Sequence, residues 1–163
     1  MKRTVIGIMG SGENATQENK NLAYEIGKIV AKLGYIVLTG GRNCGVMEAA
    51  MKGAKDYNGT TVGIIPDDHT SRMSEFVDIP IITGMGSARN NINVLSSDLI
   101  IAIGTSPGTI SEVALAIKAN KKILIPDNSK ETIELLKRYK KSYVSQFNPY
   151  DPMEIEKLIV KYT

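Results

Sequence analysis

The sequence predicts an α/β protein built as a three-layer, doubly wound parallel sheet of six or seven strands. Three observations predict it. Short apolar runs rich in β-branched residues alternate with longer segments of helical period. The run Leu99-Ile100-Ile101-Ala102-Ile103 is apolar throughout, as a strand covered on both faces requires. Glycine-rich stretches follow three of the expected strands, at positions where βα turns fall. The 163 residues carry no linker, low-complexity segment or repeat, so residues 1–163 are read as a single domain.

The elements follow in order. Thr4–Met9 is the first strand. Asn21–Leu33 carries Leu22, Ile26, Ile29, Val30 and Leu33 at helical spacing, and Gly34 stands where a helix stops. Tyr35–Thr39 is the second strand and Val46–Tyr57 an alanine-rich helix. Thr61–Ile65 is the third strand, stopped by Pro66. Val77–Thr83 is the fourth, and Pro80 within it points to an edge or an irregularity. Ala88–Ser96 reads as a helix capped by Ser87, followed by the strand Leu99–Ile103. Ile110–Ala119 is a helix, Lys122–Ile125 a strand, Ser129–Tyr139 a helix and Tyr143–Phe147 a last strand. Asp151-Pro152 opens the terminal helix as cap and first-turn proline, with Ile155, Leu158, Ile159 and Tyr162 as its stripe.

Composition excludes several classes. A net charge of +3 is too mild for a nucleic-acid surface. The densest basic run, Lys137–Lys141, falls at the end of an expected helix, where cations suit the dipole. A single cysteine, Cys44, makes neither an intrachain disulfide nor a thiolate zinc site, and fits a reducing compartment. A single histidine, His69, excludes a two-histidine metal motif and lies in a polar loop. No apolar run is long enough to span a membrane, and the opening residues lack the apolar core of a signal peptide. A cytoplasmic protein with no metal and no cofactor of its own is expected.

In doubly wound sheets, ligands bind outside the carboxyl ends of the strands. Gly10-Ser11-Gly12-Glu13 follows the first strand there. Gly40-Gly41-Arg42-Asn43-Cys44-Gly45 follows the second, and Gly104-Thr105-Ser106-Pro107-Gly108-Thr109 the fifth. Glycine lets a ligand approach the backbone, and a following helix N-terminus offers free N–H groups to an anion. Three such loops at one edge point to a phosphorylated ligand. An NAD-binding fold would also want an acid ending the second strand, and Thr39-Gly40-Gly41-Arg42 offers none, while Arg42 leaves NADP formally open. No P-loop pattern is present.

Two charged residues stand beside these loops. Thr109-Ile110-Ser111-Glu112 matches the capping box T-x-x-E, yet Glu112 also lies next to a glycine loop suited to a sugar phosphate. Arg89 is either an ordinary helix residue or a phosphate clamp. Cys44 is either a reactive thiol, activated by a helix N-terminus, or a small buried filler.

Three stretches together resemble the Lonely Guy (LOG) family and its relatives labelled lysine decarboxylase-like. They are Thr39–Ala54 (TGGRNCGVMEAAMKGA), Ser87–Ile103 (SARNNINVLSSDLIIAI) and Gly104–Glu112 (GTSPGTISE). The resemblance implies a Rossmann-like fold, a homodimer or larger assembly, and hydrolysis of a nucleoside 5′-monophosphate to base and ribose 5-phosphate. It carries the family's arginine onto Arg89 and its glutamate onto Glu112. On this reading a purine nucleotide such as AMP is the first candidate. Arg89 orients the phosphate and holds Glu112 ionised, and Glu112 stabilises the ribosyl centre or activates water. The wider ligand set is Gly10, Ser11, Gly40, Gly41, Gly45, Met47, Asn90, Gly104, Ser106, Pro107, Gly108 and Thr109. Thr105 and Ser106 replace two glycines of the family motif, and Asn90 stands where plant-type enzymes favour lysine. That spelling is closer to a bacterial and archaeal branch that also resembles molybdenum-cofactor carriers, which bind a phosphorylated pterin and need no hydrolysis. No pyridoxal-phosphate lysine site is visible.

Overall fold

The computed structural model describes residues 3–136, 139 and 143–163. Seven strands form one sheet, all parallel, in the order β4-β3-β2-β1-β5-β6-β7. They are β1 (Val5–Gly10), β2 (Ile36–Thr39), β3 (Thr60–Ile65), β4 (Ile79–Ile82), β5 (Leu99–Ile103), β6 (Lys122–Pro126) and β7 (Val144–Phe147). Six α-helices connect or follow them: α1 (Gln17–Lys32), α2 (Gly45–Lys55), α3 (Asn90–Ser96), α4 (Pro107–Lys118), α5 (Lys130–Leu136) and α6 (Pro152–Tyr162). This is the expected three-layer α/β fold, with the larger of the two expected strand numbers.

Side-chain alternation in the strands assigns the two faces. Leu99, Ile101 and Ile103 of β5 join Ile6 and Ile8 of β1 in one core with α1, α2 and α6. Ile100 and Ala102 join Met9, Ile123 and Ile125 in the other core, under α3, α4 and α5. Every β5 side chain is buried, so both faces need apolar residues and the run is continuous. The chain winds outward from β1 to β4, then crosses to β5 on the other side of β1. The carboxyl ends of β1 and β5 therefore flank the switch point, where helices on opposite faces diverge and leave a crevice.

Helix ends follow local chemistry. Thr16 caps α1 by accepting from Asn19 N–H at 3.2 Å. Gly34 takes φ +73° just after α1, and its N–H donates to Ala31 O. Asp151 caps α6 through Met153 N–H and Glu154 N–H, with Pro152 at the first helical position.

Four expectations need correction. The first helix begins at Gln17 rather than Asn21, because its polar first turn carries no apolar stripe. The segment expected as a helix over Ala88–Ser96 is a 3-10 turn, Gly86–Arg89, followed by α3; the Ser87 side chain caps neither. Val77–Thr83 shortens to Ile79–Ile82, which is the sheet edge that Pro80 suggested. The helix expected at Ile110 starts at Pro107, because Ser106 is its cap. The basic run Lys137–Lys141, apart from Tyr139, lies outside the described residues. Among the described residues no helix is long and apolar enough to cross a membrane.

Candidate functional site

A cavity of about 160 Å³ opens at the switch point. Ile8, Met9 and Gly10 of β1 form one side, continued by Gly12. Gly40 after β2 and Met47 of α2 form another. Arg89 and Asn90 approach from the 3-10 turn and the start of α3. Ser106, Gly108 and Glu112 close it from α4 and its cap. Both charged side chains in this lining are buried, Arg89 at 8% and Glu112 at 6% exposure.

Arg89 donates from Nη1 to the Ile64 carbonyl at 2.8 Å, which ties it to the end of β3. Its Nε is buried without a partner among the described residues. A Cβ at Gly40 would overlap the guanidinium, so the bare backbone there makes room for it. Burial lowers the Arg89 pKa, opposed by the field of Glu112.

Glu112 accepts from Asn93 Nδ2 at 2.7 Å through Oε1. Asn93 is fully buried on α3, and its own Oδ1 has no partner. Burial raises the Glu112 pKa, and the Asn93 bond and the Arg89 field oppose it without cancelling it. Arg89 favours the ionised form, but no Arg89–Glu112 ion pair is formed among the described residues, and loss of water is the larger effect.

The capping-box reading of Glu112 also fails. Ser106 is the cap of α4: its Oγ accepts from Thr109 N–H at 3.3 Å and sits 2.9 Å from Thr109 Oγ1. Pro107 occupies the first helical position. Glu112 is therefore within the second turn of α4 and points across to α3. Asn90 Nδ2 donates to Ser111 Oγ, and Ser111 Oγ donates to the Gly108 carbonyl, which seats α3 against the start of α4.

The cavity gathers Gly10, Gly40, Met47, Arg89, Asn90, Ser106, Gly108 and Glu112 from the candidate residues. Ser11, Gly41, Gly45, Gly104, Pro107 and Thr109 lie beside it but do not line it. Several of these serve the loops themselves. Gly45 has φ +61°, and a Cβ there would strike the Ser11 and Gly12 carbonyls; Val46 N–H donates to Ser11 O. The first and second loops are locked together by that contact. Gly104 has φ +83° beside Ser11 Oγ. Ile8, Met9, Gly12 and Asn93 were not among the candidates. Gly12 was visible in the first glycine loop, whereas no local pattern marks Asn93.

Around the mouth, Arg42 pairs with Asp67 at 3.0 Å and Arg72 with Glu13 at 2.9 Å. His69 is exposed, as its polar loop suggested. Cys44 caps α2 without a side-chain bond, and partial burial pushes its thiol up, with Glu13 adding to the effect. That is the opposite of activation.

A parallel α/β sheet with a cavity at its switch point, lined by buried charged side chains, defines a Rossmann-like fold. The chain belongs to the SLOG cluster4 family, whose model matches residues 3–152. It is similar over nearly its whole length to two solved structures. A molybdenum cofactor binding protein from the phototrophic bacterium Rippkaea orientalis is 45% identical, with a TM-score of 0.91, covering 98% of this chain and 99% of that one. The molybdenum cofactor carrier protein of Chlamydomonas reinhardtii is 40% identical, with a TM-score of 0.88, covering 99% of this chain and 98% of that one. An uncharacterized protein of Archaeoglobus fulgidus is 44% identical over 123 residues, covering 76% of this chain and 80% of that protein.

Proposed function

We propose that this protein is a carrier of molybdenum cofactor, a phosphorylated pterin, held at the carboxyl ends of β1, β2 and β5. The carrying observation is the 45% identity over nearly the full chain to a molybdenum cofactor binding protein, together with a cavity at the place where this fold takes ligands. The glycine loops let the ligand meet backbone N–H groups, and Arg89 and Glu112 supply the buried polar contacts. Soluble carriage in the cytoplasm and assembly into a homo-oligomer belong to the same proposal, and no nucleic acid or membrane takes part.

Phosphoribohydrolase activity is the second reading, favoured by the shared position of Arg89 and Glu112 in one cavity. The likeness to molybdenum cofactor proteins supports carriage instead. The experiment is incubation of the purified protein with molybdenum cofactor and, separately, with AMP. Carriage predicts co-elution of molybdenum and oxidisable pterin with the protein, and no ribose 5-phosphate from AMP. Release of ribose 5-phosphate, lost in Glu112→Gln, would make the chain a hydrolase instead.

A further inference from the structure

We propose that the buried cavity seats the N–H-bearing edge of the ligand's heterocycle rather than its phosphate, with Glu112 accepting from that edge; this rests on the carrier reading above. Size is the first argument. At about 160 Å³ the cavity is well below the roughly 300–1,000 Å³ of pockets that enclose a whole organic ligand. One part of the ligand enters it, and the rest lies toward solvent.

Charge decides which part. The charged side chains lining the cavity are one cation, Arg89, and one carboxylic acid, Glu112. Arg89 already spends Nη1 on the Ile64 carbonyl. A phosphate carrying nearly two negative charges would face Glu112 with little water between them, and buried like charges are costly. A planar cyclic amide or amidine meets no such penalty. Its N–H groups match a carboxylate, which offers two oxygens and about four lone-pair sites. Its carbonyl or ring nitrogen matches a guanidinium, and Arg89 Nε has no other partner.

The walls agree. Met47 adds an apolar side chain to the lining, and thioether sulfur packs well on aromatic faces. Glu112 is also pre-positioned, since Asn93 Nδ2 holds Oε1 from the fully buried side of α3. The groups facing Glu112 are Asn93 from α3 and Arg89 from the preceding turn; Arg89 is the charged one. The aminopyrimidinone edge of a pterin has this pattern of neighbouring donors and an acceptor.

The test uses 6-hydroxymethylpterin, which has no phosphate, and inorganic phosphate as separate probes on the full chain. Wild type is expected to bind the pterin, with affinity falling as pH drops from neutrality into the acid range and Glu112 takes a proton. Glu112→Gln should bind it at least about tenfold more weakly at the upper pH, with a flattened pH profile. Phosphate should not displace the pterin. Competitive displacement by phosphate, affinity rising on acidification, equal affinity in Glu112→Gln, or no pterin binding would each overturn the proposal. The pH profile and the competition are read on wild type alone, so a poorly folding variant does not disarm them. Molybdenum-cofactor binding on the same preparations reports separately on the carrier reading.

Discussion

Glu112 is a buried acid in the lining of the switch-point cavity. Its folded pKa is raised by burial above the ordinary value of 4.5. The sign of the linkage follows. The stability contributed by Glu112 is fully present below the unfolded value and is lost as pH rises through the folded one. Glu112→Gln removes this dependence. The melting temperature of the variant, relative to wild type, should therefore climb as pH rises from about 4.5 toward neutrality. Parallel melting-temperature profiles would mean that Glu112 titrates as an exposed acid does. Arg89 and Glu112 were legible through the three stretches that resemble the LOG family. The direction in which burial shifts Glu112 was not, because loss of water is a property of packing. Asn93 was invisible for a related reason: an asparagine inside a short helix gains its meaning from the residue on α4 that it touches.

Helix starts show a more local lesson. The Asp151-Pro152 pair marks the start of α6, and the same rule applied to Ser106-Pro107 marks α4. The T-x-x-E pattern that begins three residues later lies inside the helix and is not its cap. Ser106→Ala should cost about 1 kcal/mol, or roughly 2–4 °C in melting temperature for a chain of this size. An unchanged melting temperature would place the cap elsewhere. The packing of α1 on α2 gave no comparable signal. A Cβ at Gly27 would strike the Ala50 carbonyl, and one at Gly53 would strike the Tyr24 carbonyl. The two helices thus meet backbone to backbone through reciprocal glycines. Gly53→Ala should destabilise by about 1–3 kcal/mol in chemical denaturation, as overpacking does. Both glycines lie inside apolar helical patterns, where a single sequence does not say which turn faces a neighbour. β4 is the converse case. Its run Ile79-Pro80-Ile81-Ile82 reads as a strand and is one, yet all four residues are exposed at the sheet edge. Hydrophobicity marked the element and not its burial.

At the scale of the whole molecule, the parallel sheet and its three layers were legible because two-sided burial forces continuous apolar runs such as Leu99–Ile103. Strand order was legible only as a class, since β4-β3-β2-β1-β5-β6-β7 depends on which way each crossover turns. That order creates the crevice, and the crevice brings Gly10, Gly40, Met47, Arg89 and Glu112 together from five separate segments. The glycine loops lie at the carboxyl edge of the sheet beside the cavity, although Gly45 and Gly104 there serve loop packing rather than lining it. What the site holds is decided by a direct measurement. Purified protein mixed with molybdenum cofactor and passed through gel filtration should retain molybdenum and pterin in equal, near-stoichiometric amounts, and the loaded protein should leave AMP intact. Protein that emerges free of both, while converting AMP to adenine and ribose 5-phosphate, would contradict carriage.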